Sequence, residues 1–256
     1  MTQQYTDHQV PVGANTRGTV VVVPGRGESR ATYDRFGKRL AADAYRVRVV
    51  DAPEPAEDQL DGWLGEFAAR IAEAVAGSGD AGDVVHPLVL VGSDTGAAAL
   101  AALSGRPATG GPRPDALVLA GLPGPATADA GSWEEELDLR TTCPVHREAL
   151  TRDAGVRRGT LAAPVPGWLL DSAHGAAGDI PHLLLVGDRD PLADRDAVAR
   201  LAKSLPAARL AVVHGAHHDV LNDQQHRSVA AEIVLLLEAL RGGRPTPLIT
   251  TETSSW

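Results

Sequence analysis

The chain of 256 residues has a single cysteine, Cys143, so an internal disulfide is excluded and the redox compartment is left open. It has no excess of positive charge. Its 24 Lys and Arg against 33 Asp and Glu give a formal net charge of -9, which argues against nucleic acid, whose binding rests on neutralising phosphates. The opening "MTQQYTDHQVPVG" has no basic segment ahead of an apolar run, so it does not read as a secretory signal. No apolar stretch approaches the roughly 20 residues needed to cross a bilayer. There is no internal repeat. These absences leave a cytoplasmic protein with no membrane or nucleic-acid partner as the expectation. What is present is a 43% share of apolar residues, enough to bury a sizeable core.

The apolar residues fall into alternating patterns. "GTVVVVPG" (Gly18 to Gly25), "YRVRVVDAP" (Tyr45 to Pro53), Leu88 to Val91, "DALVLAG" (Asp115 to Gly121), "HLLLVGD" (His182 to Asp188) and "RLAVVHG" (Arg209 to Gly215) read as strands. Between them come helical spacings. Tyr33, Phe36 and Leu40 form one; Leu60, Trp63, Leu64, Phe67, Ile71 and Val75 form another, within Gln59 to Val75. Gly96 to Leu103, "DAVARLAKSL" and "RSVAAEIVLLLEAL" complete the set, the last stopped by Gly242 and Gly243. Apolar strands alternating with helices predict an α/β fold with a mostly parallel central sheet covered on both faces. Residues 122–180 break the alternation and predict an inserted cap between core segments 18–121 and 181–243. Residues 1–17 read as an N-terminal extension and 244–256 as a disordered or loosely draped tail.

"LVLVGSDTGAAAL" (Leu88 to Leu100) runs from a strand into a helix through a turn of small residues. A sharp strand-to-helix elbow needs small residues two positions to either side of its apex. Asp94 meets that rule with Gly92 and Gly96, whereas Ser93 would be flanked by Val91 and Thr95. Asp94 is therefore the apex, the alternative being an aspartate that only caps the helix. Farther on, Asp190 stands in the turn of "VGDRDPLAD", with Asp188 as its competitor and Asp190 or Asp194 open to a plain cap of the next helix, and "HGAHHDVLND" offers His217 and His218. Nucleophile, acid and histidine thus arrive in the order the elbow fold requires, each after a strand's carboxyl end. The loop histidines with Asp219 do not form a converging ligand set, so no metal is expected. "PGRGE" lacks both the Walker ending and the dinucleotide glycine spacing, so no cofactor is implied. It reads instead as an oxyanion loop in which Gly25 lets the Arg26 N–H pair with that of Thr95. The Arg26 side chain has the option of entering the pocket to meet an anionic substrate.

Over about Gly18 to Leu240 these segments resemble the α/β-hydrolase superfamily, with acid and histidine turns in the style of its monoacylglycerol-lipase-like members. The resemblance selects Asp190 over Asp188 and His218 over His217. It implies a catalytic triad of Asp94, Asp190 and His218 acting on a small organic molecule. Two departures stand out. The oxyanion strand ends in Pro24-Gly25 rather than His-Gly, and the elbow carries Asp94 rather than serine. An elbow aspartate resembles haloalkane dehalogenases and epoxide hydrolases, in which a carboxylate attacks an sp³ carbon and His-activated water releases the ester. The expected reaction is therefore C–O or C–halogen hydrolysis rather than simple ester cleavage. The helpers of those enzymes are missing: Tyr5, Tyr33 and Tyr45 all lie outside the cap, and Thr95 follows the nucleophile where dehalogenases usually have tryptophan. Trp133 and Trp168 are the cap residues able to substitute. An acid/base isomerase, lyase or cyclase and a non-catalytic binding protein remain the alternative functions.

Overall fold

The structure is a computed structural model that describes residues 5–55, 60–76, 83–106, 113–128, 130–243 and 247–249. Seven strands form one sheet: β1 (Tyr5–His8), β2 (Gly18–Val23), β3 (Tyr45–Val50), β4 (Leu88–Ser93), β5 (Ala116–Ala120), β6 (His182–Gly187) and β7 (Ala208–Val213). Their order across the sheet is β1-β3-β2-β4-β5-β6-β7, with every pair parallel except β1 and β3. Strands β2 and β4 are buried along their full length, which explains why they read as unbroken apolar runs rather than as alternation.

Helices α1 (Asp34–Ala42) and α8 (His226–Arg241) cover one face. There Val20, Val22, Val89, Val91 and Val118 pack with Phe36, Leu40, Ile233 and Leu237. Helices α2 (Leu60–Val75), α3 (Thr95–Ser104) and α7 (Arg195–Ser204) cover the other, where Val21, Val23, Leu88, Leu90 and Leu117 meet Leu64, Phe67, Leu100 and Val198. Odd and even strand positions thus feed two cores, as the two-residue period of a strand requires. Among the described residues no helix is long and apolar enough to cross a membrane.

Two segments do more than their sequence patterns indicate. Residues 1–17 are more than an extension, because Tyr5–His8 adds the antiparallel edge strand with Tyr5 opposite Val50. Asp7 pairs with Arg46 at 2.7 Å, and the buried Arg48 lies under the Tyr5 ring, 4.3 Å from its centroid, while donating to the carbonyls of Ala74 and Ala76. Polar pairing, invisible to a hydrophobic pattern, holds this strand. The segment 122–180 is also of two kinds. Helices α4 (Trp133–Arg140) and α5 (Pro144–Arg152) are tied to the loops that follow β2 and β7, through Arg140 on the Arg26 carbonyl and His146 on Asp219, whereas α6 (Gly167–His174) packs its Leu169, Leu170 and Ala173 in the cluster that contains α3. The tail expected to be disordered lies outside the described residues except at 247–249.

Candidate active site

The β4–α3 turn has the geometry its glycines imply. Asp94 has φ 47° and ψ -119°, a positive φ that side-chain-bearing residues rarely adopt. The turn is so tight that a Cβ on Gly92 would stand 2.6 Å from the Ala97 backbone, and one on Gly96 2.4 Å from the Val23 carbonyl. Asp94 occupies the N-cap position of α3, yet its side chain makes no capping hydrogen bond. The simple helix-cap reading is thereby removed.

The carboxylate is instead held from the other side. The Arg26 N–H donates to Asp94 Oδ2 at 2.8 Å, Arg26 Nε donates to the same oxygen at 2.9 Å, and Nη2 donates to Oδ1 at 3.1 Å. The remaining guanidinium nitrogen, Nη1, donates to the Ala163 carbonyl. The option that Arg26 reaches out to a substrate anion therefore does not describe this state, in which its partner is Asp94. On the far side His218 Nε2 lies 3.2 Å from Asp94 Oδ1, off the line of a hydrogen bond, and its Nδ1 meets both Asp190 oxygens at 2.9 and 3.0 Å. Asp190 is fixed in turn by the Leu192 N–H.

The competing residues are used elsewhere. His217 faces Asp223, which accepts its backbone N–H at 2.8 Å; Asp188 pairs with His214 at 3.0 Å; Asp194 caps α7 through the Ala197 N–H. The structure thus brings together Asp94, Asp190, His218 and Arg26 and leaves the alternatives outside. Gly25 and Ser93 sit behind Asp94. The Gly25 N–H donates to Glu28, and Ser93 is buried. The Thr95 N–H, the second expected oxyanion donor, has no hydrogen-bond partner among the described residues.

The two tryptophans expected to reach in from the cap, Trp133 and Trp168, make no hydrogen bond to this group among the described residues. Trp133 donates to Thr151 Oγ1 at 3.0 Å and packs beside Leu137 and Leu150, with the Arg158 guanidinium over its ring. Trp168 meets Trp63 edge-on, at 5.6 Å between centroids, and packs against the cluster around α2 and α3.

Burial sets the electrostatics. Asp94 is 3% exposed and His218 1%. Burial by itself would raise the Asp94 carboxyl, but the charges of Arg26 and His218 and the hydrogen bonds from Arg26 override it and hold it well below the usual carboxylate range. Burial would likewise lower His218, and the two flanking carboxylates, Asp190 first, push it up to about 10. The group is a chain of alternating charge: Arg26 positive, Asp94 negative, His218 positive, Asp190 negative.

A second polar cluster lies on the other side of the oxyanion loop, and the sequence reading missed it. Glu28, fixed by the Gly25 N–H (2.7 Å) and the Tyr33 hydroxyl, lies near His146 and Asp219, themselves 2.9 Å apart. Arg140, 1% exposed, donates to Glu136 and to the Arg26 carbonyl at 2.9 Å each and approaches Asp219 at 3.5 Å. Ligand atoms of Glu28, His146 and Asp219 lie within 4.8 Å of one another, a spacing open to a metal ion. Arg140 already supplies a positive charge beside them, so the set is accounted for as an ion-pair network. The i,i+4 spacing of Glu136 and Arg140 was the only signal in the sequence. This network also stitches the cap down: the Asp219 N–H donates to the Arg140 carbonyl, and the Arg157 N–H to that of Gly27.

Residues 20–232 match the alpha/beta hydrolase family. The chain belongs to that family. Solved structures agree with this membership at the level of fold. A soluble variant of monoglyceride lipase from Saccharomyces cerevisiae superposes with a TM-score of 0.69 at 15% identity, covering 91% of this chain and 90% of that one. Monoacylglycerol lipase from Paleococcus ferrophilus gives 0.68 at 17% identity, covering 93% and 98%. The enol-lactonase from Burkholderia xenovorans gives 0.60 at 15%, covering 90% and 94%. No curated protein matches the chain.

Proposed function

We propose that this α/β hydrolase uses Asp94 as a nucleophile toward an sp³ carbon of a small organic substrate, cleaving a C–O or C–halogen bond. The observation that carries the reading is the placement of the two Asp94 oxygens. Oδ2 occupies the oxyanion position on the Arg26 N–H, and Oδ1 faces His218. A serine elbow needs that position empty for the oxygen of a substrate carbonyl; here the enzyme's own oxygen fills it. This is the arrangement an aspartyl ester requires. Oδ1 attacks carbon, and the C–X bond breaks with its electron pair on X. The ester that forms keeps Oδ2 as carbonyl oxygen, already hydrogen-bonded. Water then gives a proton to His218 Nε2 and adds to the Asp94 carbonyl carbon, and the charge develops on Oδ2, where the Arg26 donors stand. Collapse expels the product alkoxide, which takes the proton back from His218 and leaves Asp94 as a carboxylic acid; Asp94 then passes its proton to His218, which had released its resting proton to solvent once the ester formed, and the carboxylate–imidazolium pair is restored. The net reaction is R–X plus water to R–OH plus HX.

The charge chain supplies the timing. In the resting state His218 is held protonated by two carboxylates, so it is not a base. Ester formation removes the Asp94 charge, leaves Asp190 alone to support the imidazolium, and lowers the His218 pKa toward the range where it deprotonates water. The Arg26 guanidinium must release Oδ1 before attack, so the structure corresponds to a closed resting state.

A second reading has its own observation. With both Asp94 oxygens bound to Arg26 and only 3% of the residue exposed, Asp94 and His218 also suit proton exchange with a metabolite in a non-hydrolytic reaction, or a purely structural role. Intact-mass spectrometry of a His218→Gln variant mixed with terminal haloalkanes and epoxides separates the readings. An alkyl adduct mapped to Asp94 supports the nucleophile, and wild-type turnover with no adduct in the variant contradicts it.

A further inference from the structure

A cleft of about 480 Å³ opens between α1 and α5, away from the Asp94 carboxylate, with the buried His146 at its base. One wall is cationic. Arg35, Lys38 and Arg39 are spaced i, i+3 and i+4 on α1, so they share a helix face, and like charges so placed repel unless something neutralises them. Lys38 is paired with Asp34 at 2.5 Å. The two arginines are not paired with any carboxylate among the described residues. Arg35 spends its nitrogens on neutral acceptors, the Asn222 carbonyl and Cys143 Sγ. Arg39 has no hydrogen bond or ion pair there at all, and its Nε is buried without a partner. His226, at the start of α8, feels the result: burial first, then Arg35, Arg39, Arg227 and His146, hold its pKa below the usual imidazole value. The opposite wall is apolar, made by Ala149 and by Val145, which is 58% exposed. A concentration of unneutralised cations beside a concave apolar wall is out of character for a chain of net charge -9.

We propose that this cleft binds a phosphate-bearing small molecule, its dianion held by Arg35, Lys38 and Arg39 and its carbon skeleton lying against Val145 and Ala149. The guanidinium fork of Arg39 matches the geometry of phosphate oxygens, and a dianion offsets the two guanidinium charges of Arg35 and Arg39, which no carboxylate among the described residues neutralises, better than a single carboxylate does. The volume falls in the range of small-molecule sites, roughly 300–1,000 Å³. The proposal is independent of the chemistry at Asp94.

The test uses the full chain and two probes at fixed ionic strength: glycerol 3-phosphate by isothermal titration, and vesicles of phosphatidate in phosphatidylcholine by sedimentation. The expected result is binding of glycerol 3-phosphate that weakens by about tenfold or more in Arg39→Gln. Arg39 makes no internal hydrogen bond or ion pair to lose among the described residues, so the variant should keep the wild-type melting temperature, and Arg227→Gln, outside the cleft wall, should bind as wild type does. Sedimentation with phosphatidate vesicles alone, abolished in Arg39→Gln, supports the same site with a lipid headgroup as the source of the phosphate. Failure of both probes to bind, or binding unchanged in both Arg35→Gln and Arg39→Gln, overturns the proposal.

Discussion

Two buried charge clusters flank the Gly25–Arg26 loop, and burial acts on their carboxylates with opposite outcomes. On the elbow side, Asp94 and Asp190 are matched by two cations, Arg26 and His218, and Asp94 is held well below the usual carboxylate range. On the cap side, Glu28, Asp219 and Glu136 share Arg140 and His146. There Asp219 takes the cations and is lowered, while Glu28 is pushed up to about 7, by burial first and then by the Asp219 charge. Desolvation penalises the ionised forms of Asp94, Asp219 and Glu28 alike. Whether each stays ionised depends on the number and closeness of its positive partners. The elbow cluster is balanced and closed; the cap-side cluster has one carboxylate too many.

The comparison is broken most severely by Arg140→Met. It removes the one guanidinium of the cap-side cluster, leaves Glu136 and Asp219 buried without it, and cuts the hydrogen bond to the Arg26 carbonyl. Urea unfolding should show a loss of about 3–5 kcal/mol, the cost of stranding a buried charge. At the elbow, Asp94→Ala and Asp94→Gly lose the same carboxylate but differ in backbone. Alanine keeps a side chain at φ 47°, whereas glycine adopts it freely. The glycine variant should therefore be the more stable of the two by about 1 kcal/mol, and equal stabilities would mean that the turn stores no strain.

The smallest change is Glu28→Gln. The folded-state pKa of Glu28, about 7, lies above that of an ordinary carboxyl. The native state thus holds this proton more tightly than the unfolded chain does, and the contribution to stability is greatest at low pH and is lost as pH rises through about 7. The glutamine variant should lose that slope between about pH 4.5 and 7, giving a flatter stability profile from thermal melts across that range. A profile that keeps the wild-type slope would put the origin of the slope elsewhere.

How much of this was legible in the sequence follows from which physics each part uses. The parallel strands were readable because both faces are buried and the apolar run is continuous. The elbow was readable because its sterics demand Gly92 and Gly96. Asp190 and His218 stood out by their order after strands. β1 was not readable, since four mostly polar residues are held there by edge hydrogen bonds and the Asp7–Arg46 pair. Nor was the core membership of α6, whose short apolar face looks the same whether it meets a cap or a sheet. The roles of Arg26 and Arg140 depend on contacts between residues 68 and 114 positions apart in the chain, and no local pattern encodes such a pairing. Arg26 was readable as a residue of the site, but its contact with Asp94 was not.

The central claim is that the Asp94 charge keeps His218 protonated until that charge is consumed. It can be measured without a substrate, by following the ¹⁵N shifts of the His218 imidazole against pH in the wild type and in Asp94→Asn. The account predicts a His218 pKa of about 10 in the wild type, with both ring nitrogens protonated through neutral pH. In Asp94→Asn, where Asp190 alone supports the imidazolium and burial opposes it, the pKa should fall by at least about one unit, toward the ordinary imidazole value near 6.5. A wild-type His218 that already titrates near 6.5, or a pKa that is the same in both proteins, would contradict it.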